Sequence, residues 1–299
     1  MVSETLLVRY GELALKSPPV RREFESRLKH NLLEGFLREQ RQCTLSADHG
    51  HLYVETSDAG AALPIVRRTF GVVSVSAARV VPSDLPSVLS AVVEEARPLL
   101  RKGASFAIRP RRTGSHPYTS QSLGAEAGGA ILEKFPELEL RVDLTHPEVE
   151  LFVEVRGPRA YLYAGRVAGP GGLPLGVGGK LGAFVDSERA ALGSFLMMKR
   201  GCRVFPVTSG PGEALARDVL ASFDPHLAPE ASATREEAWA WLRDHAQRRG
   251  WDGVVLDLEV EEHAQAREFF GETVIFSPTV GLSDTEVAKR WSDVVALVR

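Results

Sequence analysis

Two stretches of this chain hold residues whose types and spacing bear on phosphate chemistry. Residues 178–201 read GGKLGAFVDSERAALGSFLMMKRG, where glycines give way to an apolar run and then to a helix-like segment ending in Lys199, Arg200 and Gly201. α/β nucleotide enzymes cradle phosphates at such a strand-to-helix junction, using glycines for close backbone approach and free helix N-terminal amides as donors. Here the junction holds Phe184-Val185-Asp186-Ser187-Glu188-Arg189. Phe184 and Val185 supply neither freedom nor donors, and Glu188 sets a carboxylate where a phosphate would sit. The second stretch, FAIRPRRTGSHPYTSQSLG, gathers Arg109, Arg111 and Arg112 ahead of Gly114, His116, Tyr118, Thr119 and Ser120. Arginines and hydroxyls leading into a helix N-terminus can hold phosphates by side-chain charge and backbone amides together. His116 and Tyr118 can stack on an unpaired base. The same residues also fit a plain surface, with Arg109 and Arg112 in ion pairs and Thr119 or Ser120 as an N-cap.

The elements that must position these residues are legible in the apolar spacing. Residues 5–10, TLLVRY, read as a strand, and Phe24, Leu28, Leu32 and Phe36 recur at a spacing of four in a helix over 20–41. Two strands flank Asp48-His49-Gly50, followed by a helix in AALPIVRRTFG and a strand in VVSVSAARVV, the βαββαβ order of a ferredoxin-like unit. After Pro82 a second α/β unit follows: helix LPSVLSAVVEEARPLLRK, strand SFAIRP, helix SQSLGAEAGGAILEKF, strands VELFVEV and RAYLYAGRV. The Gly/Pro-rich stretch up to Lys180 reads as a linker whose glycines allow a hinge turn. From 181 strands alternate with helices, among them a helix in GEALARDVLASF over 212–223 and a strand in GVVLDLEV over 253–260, which argues a parallel sheet covered by helices. Thr208-Ser209-Gly210 and Asp257-Glu259 fall where such sheets gather ligands, and are equally ordinary turns.

With 299 residues, 44% hydrophobic and 25% charged, the chain has the balance of a globular protein of two or three domains. No window approaches a spanning segment and no signal peptide is evident, so a cytoplasmic protein without a membrane partner is expected. The net charge of −3 is split, with a small basic excess in the first 170 residues and an acidic excess in the rest. Cys43 and Cys202 are far apart, outside any CxxC or His/Cys cluster, which argues against a disulfide framework and a zinc site.

Three blocks together resemble one family, the tRNA 4-thiouridine synthetases (ThiI family). RYGELALKSPPVRREFESRLKHNL is similar to its N-terminal motif. FAIRPRRTGSHPYTSQSLGAEAGGAI and VDLTHPEVELFVEVRGPRAYLYAGRVAGPGGLPLGVGGK resemble its THUMP domain and the GGLP junction that follows, and VIFSPTVGLSDTEVAKRW resembles a segment near the family's end. The resemblance implies a fold of mixed α+β and α/β type: a ferredoxin-like domain over 1–76, a THUMP domain over 77–168, a linker over 169–180, and a Rossmann-like parallel-sheet domain of the PP-loop pyrophosphatase type over 181–299. It implies tRNA as the partner, gripped at the acceptor and 3′ end through the loop from Arg109 to Ser120. Arg9, Lys16, Arg21 and Arg22 of the N-terminal motif, with Lys180, would add phosphate contacts.

The third domain departs from the family. Aligned on LMMKRG, the family's Ser-Gly-Gly-Ile-Asp-Ser loop falls on Phe184 to Arg189 and matches at no position, and the family's cysteine has no counterpart, since Cys202 reads as core. The expectation is a tRNA-binding protein without catalytic residues or cofactor. It would act beside a separate catalytic tRNA-modification subunit or as a homodimer. The alternative is an active tRNA sulfurtransferase holding ATP and Mg at an atypical site around Asp186, Ser187 and Thr208-Ser209-Gly210.

Overall fold

Strand β1, Glu4–Tyr10, is buried on both faces. Leu6, Val8 and Tyr10 enter the core under the helices, while Leu7 and Arg9 point to the opposite side, as strand alternation requires. The computed structural model describes residues 4–11, 17–48, 50–232 and 234–298. Lys16 and His49 lie outside them. Helix α1, Pro18–Arg38, opens with proline in its first turn and buries Leu28, Leu32 and Phe36. Strands β2, Thr44–Asp48, and β3, His51–Thr56, come next. Helix α2, Ala59–Arg67, starts where the Asp58 carboxylate accepts from the Ala61 amide at 2.9 Å, and leads to β4, Val72–Pro82.

The second unit comprises α3, Leu85–Ala96, capped by Asp84, then β5, Ser105–Thr113, and α4, Ser120–Lys134. It closes with β6, Arg141–Val142, β7, Val149–Arg156, β8, Arg159–Tyr163, and β9, Val167–Ala168. The two-residue strands β6 and β9 carry no periodicity that a sequence reading could use. All nine strands form one sheet of order β2-β3-β1-β4-β8-β7-β5-β6, with β9 on β4. Strand β4 pairs with β1 through Ala78 and with β8 from Arg79, so position 76 lies inside a strand shared by both units.

The sheet folds over at β4. Tyr53 on β3 and Tyr161 on β8 have ring centroids 4.8 Å apart, although β1 and β4 lie between their strands. In a flat sheet three strand spacings would separate them by ~14 Å. The faces not covered by helices therefore pack against each other through Leu7, Tyr53, Ala78, Tyr161 and Tyr163.

The third unit is a parallel sheet of order β12-β11-β10-β13-β14. Its elements are β10, Lys180–Val185; α5, Glu188–Lys199; β11, Arg203–Thr208; α6, Gly212–Ala214; and β12, Glu230–Ala231. Then come α7, Arg235–Arg249; β13, Gly253–Val255; α8, His263–Phe270; β14, Ile275–Phe276; and α9, Asp284–Val298. Two expected elements differ. The single helix expected over 212–223 passes from α6 into a π-turn at Leu215–Val219 and a 3-10 turn at Leu220–Ser222. The strand expected over 253–260 stops at Val255, where its pairing with both β10 and β14 ends.

The Gly-rich stretch, expected to hinge, is laced to both neighbours. Gly169 and Gly171 amides donate to the Val73 and Val72 carbonyls at 2.9 and 2.8 Å, and the Leu173 and Gly176 amides donate to Lys199 and Gly201 at 2.9 and 2.7 Å. Gly172, at φ +73°, lies so close to α5 that a Cβ would stand 2.1 Å from the Lys199 carbonyl oxygen. Backbone contact on both sides turns a flexible composition into a strap. Beside it Phe70, only 1% exposed, leaves the first unit and enters the core of the third, with Phe195 and Phe223 centroids at 5.3 and 5.4 Å.

Candidate nucleic-acid interface

Strand alternation divides the three arginines of β5. Arg109 and Arg111 stand opposite Phe152 and Glu154 of β7, with the Arg109 Nε donating to the Glu150 carboxylate at 2.7 Å. Pro110 instead meets Gly124 of α4, and Arg112 follows that face, close enough to Tyr118 to act on its hydroxyl. Arg112 also donates to the Gly114 carbonyl at 2.8 Å. Arg111 is exposed and has no hydrogen-bond or ion-pair partner among the described residues. The three side chains thus meet only around the end of β5.

That end is built by the loop and by α4. Thr119 is the N-cap: its hydroxyl accepts from the Ser122 amide at 3.0 Å while the Ser122 hydroxyl accepts from the Thr119 amide at 3.0 Å. Ser120 is the first residue of the helix and half-buried. His116 is half-exposed and bonds the Gly157 carbonyl through Nε2 at 2.8 Å, which fixes the loop to the β7–β8 turn. Tyr118 departs from the stacking role expected of it. Its ring is 7% exposed within the α3–α4 core and its hydroxyl donates to the Ser83 carbonyl. Burial, with Asp84 nearby, pushes that hydroxyl above its ordinary range against the pull of Arg112.

The N-terminal cations lie elsewhere. Arg9 does not face solvent: it donates to Ser76 Oγ at 3.1 Å and Glu154 Oε1 at 3.2 Å and lies 4.7 Å over the Tyr163 ring. Arg21 is half-buried and Arg22 exposed on the first turn of α1. Tyr10 pairs with Val72 at the start of β4, whereas Arg159 and the β7–β8 turn pair with Pro82 at its end. Arg21 and Arg22 follow β1 at that first end, so the length of β4, about 30 Å at strand rise, separates them from the His116 loop. Lys180 begins β10, the central strand of the third sheet, at the end remote from Val185, and its amide donates to Asp252 at 2.8 Å.

The carboxyl ends of the parallel strands gather a different set. Ser187 caps α5, its hydroxyl accepting from the Ala190 amide at 3.2 Å, and Phe184 is buried. Arg189 turns back across the strand ends, donating to the Thr279 and Leu282 carbonyls at 3.3 and 2.8 Å and to Asp284 at 2.6 Å. Thr279 donates to Asp257 at 3.2 Å. Burial, with Asp186 and Glu259 close by, raises the Asp257 carboxyl despite Thr279 and Arg189. Gly212 seals the far side, where a Cβ would stand 1.8 Å from the Val185 carbonyl oxygen. Cys202 is 5% exposed and its thiol is held high by burial, with Asp252 adding to the effect. Among the described residues no cluster of His, Cys, Asp and Glu is arranged to hold a metal ion, and no helix is long and apolar enough to cross a membrane.

The residue that sequence reasoning missed is Glu154, 2% exposed where the folded sheet closes. Its carboxylate accepts from the Tyr163 hydroxyl at 2.6 Å and from Arg9 and Arg156 at 3.2 and 3.3 Å, with His51 Nε2 at 3.7 Å. Burial alone would raise this carboxyl; Tyr163, Arg9 and His51 outweigh it and hold the group below the ordinary glutamate range. A single Glu between Val153 and Val155 was the available signal.

A ferredoxin-like unit, a second α/β unit on the same sheet and a parallel-sheet domain make up the fold, and the comparisons name the first two. Residues 5–76 match the ThiI ferredoxin-like domain and residues 82–164 the THUMP domain. A probable tRNA sulfurtransferase of Thermococcus kodakarensis is 35% identical, covering 92% of this chain and 76% of its own length. One from Methanosarcina acetivorans is 41% identical over 68% of this chain. Among solved structures, PH1313 from Pyrococcus horikoshii aligns with a TM-score of 0.83 at 25% identity over 98% of this chain and 99% of its own. A 4-thiouridine synthetase in complex with RNA and bound ATP aligns at 0.80 and 19% identity, over 99% of this chain and 86% of its own, which bears on the fold. The chain belongs to the tRNA sulfurtransferase (ThiI) family. It spans about half the length of several archaeal relatives, 50% in the Methanosarcina acetivorans case.

Proposed function

We propose that this chain binds tRNA through its THUMP unit, at the end of β5 and the start of α4, and that its parallel-sheet domain does not split ATP. The observation that carries the reading is the contrast between two strand-to-helix junctions. At β5–α4, Arg111 is exposed with no side-chain partner among the described residues, and Arg112 and His116 are half-exposed beside a helix N-terminus. Such a set suits the phosphates and unpaired bases of an RNA end. At β10–α5 no glycine lies between Phe184 and Leu192, the Ser187 hydroxyl is committed to its cap, and Arg189 is tied to two carbonyls and Asp284. The donor set at that junction does not fit a triphosphate, which needs free amides and room for close backbone approach. No low-pKa thiolate is available for sulfur transfer, since burial raises both cysteines.

The test is binding of labelled tRNA, with and without its 3′ overhang, over a salt series, with ATP hydrolysis followed in the same samples. The expected result is salt-sensitive binding that needs the overhang, with no hydrolysis. Arg111→Gln and Arg112→Gln should each lower the slope of log K against log salt by ~0.7–0.9, the contribution of one phosphate contact. Hydrolysis stimulated by tRNA would refute the reading of β10–α5; binding untouched by both substitutions would refute the RNA site.

A further inference from the structure

We infer that Glu154 is a positioning residue for the RNA grip: it locks the ferredoxin-like and THUMP units at one angle, and Arg9 and Arg156 are its internal counter-charges. The inference rests on the RNA-binding reading above. Arg9 lies on β1 and Glu154 on β7, three strand spacings apart in the sheet order, and His51 on β3 is four away. Flat, those side chains would stand ~14 and ~19 Å apart. Their meeting at 3.2 and 3.7 Å requires the fold at β4 to be closed. The rest of the seam, Leu7, Tyr53, Ala78 and Tyr161, packs through ring and aliphatic contacts with little directional preference, whereas the hydrogen bonds that one carboxylate accepts from Arg9, Arg156 and Tyr163, on three strands, are directional. A buried carboxylate and two cations with side chains 14% exposed also stabilise one arrangement for a second reason. Removing one member while the fold stays closed leaves the remaining charges buried without their partner.

Positioning and phosphate contact predict different salt behaviour. A cation that touches a phosphate adds ~0.7–0.9 to the salt slope, and one that acts from inside the fold adds nothing. Labelled tRNA is titrated against the full chain and its Glu154→Gln, Arg9→Gln and Arg111→Gln variants over a salt series. Glu154→Gln and Arg9→Gln should each weaken binding at least tenfold with the slope unchanged, while Arg111→Gln lowers the slope. A slope drop in Arg9→Gln, or full affinity in Glu154→Gln, overturns the inference. A second readout needs no RNA. With Cys43→Ser, spin labels at Ser26→Cys on α1 and Glu126→Cys on α4 report the distance between the units, which should broaden or shift in Glu154→Gln. An unchanged distribution overturns the inference even if the chain proves not to bind tRNA, which would sink the functional reading alone. Should Glu154→Gln fail to fold, Tyr163→Phe keeps the ring and removes only the 2.6 Å donor, and the same two readouts apply.

Discussion

Phe70→Ala should destabilise a domain to which Phe70 does not belong in sequence. The ring is 1% exposed and lies between Phe195 of α5 and Phe223, with centroids at 5.3 and 5.4 Å. Truncating a fully buried phenylalanine costs about 3–5 kcal/mol through lost transfer energy and the cavity left behind. The lost partners lie in the parallel-sheet domain, so that domain bears the loss. The protein supplies its own reporter, because Trp239, Trp241, Trp251 and Trp291 are the chain's four tryptophans and all fall after residue 181. Tryptophan emission during urea unfolding therefore reads the third domain alone. With a slope of about 3 kcal/mol per molar, the expected loss moves its midpoint down by ~1–1.7 M. An unchanged tryptophan midpoint would mean that the third domain stands without the first, and that Phe70 fills space without supporting it.

Asp257→Asn should flatten a pH dependence. A carboxyl raised in the folded state binds more protons there than in the unfolded chain, so stability falls as pH climbs from the ordinary aspartate range through the raised value, and is constant above it. The variant should be at least as stable as the parent near neutral pH in the same urea assay, and the difference should vanish in acid. Tyr118→Phe, which keeps the ring and removes only the hydroxyl's bond to Ser83, should cost about 1 kcal/mol in the same urea assay; an unchanged midpoint would mean that the bond contributes nothing. Cys202 should resist a thiol reagent until the protein unfolds; rapid native labelling near neutral pH would contradict its burial and raised thiol.

Much of this architecture was written in local signals. The spacing of Leu28, Leu32 and Phe36, the Asp58, Asp84 and Thr119 caps and the βαββαβ order each depend on a few neighbouring residues. The site was harder to read because it depends on which surface faces which. The alternation in β1 puts Arg9 on the side opposite Leu6 and Val8, but nothing local says that a second half-sheet closes on that side. Arg109, Arg111 and Arg112 look like one patch in sequence and divide between two faces in a strand. Tyr118 lies among polar loop residues, yet its ring is drawn into the α3–α4 core. Glycine composition misled most at 169–178, where glycines serve close backbone contact to Lys199 and Val72.

The Phe70 contact also sets an order of events on the ribosome. The ferredoxin-like unit is complete by Pro82, but Phe223 is made roughly 150 residues later, about 8–30 s at ordinary elongation rates. Through that interval the Phe70 ring lacks its Phe223 partner at the edge of an otherwise finished unit, while the carbonyls of Val72 and Val73 stand open only until Gly169 and Gly171 are made. A nascent chain stalled between those points leaves exposed a ring that the finished protein buries, and only synthesis of the residues around Phe223 completes its pocket.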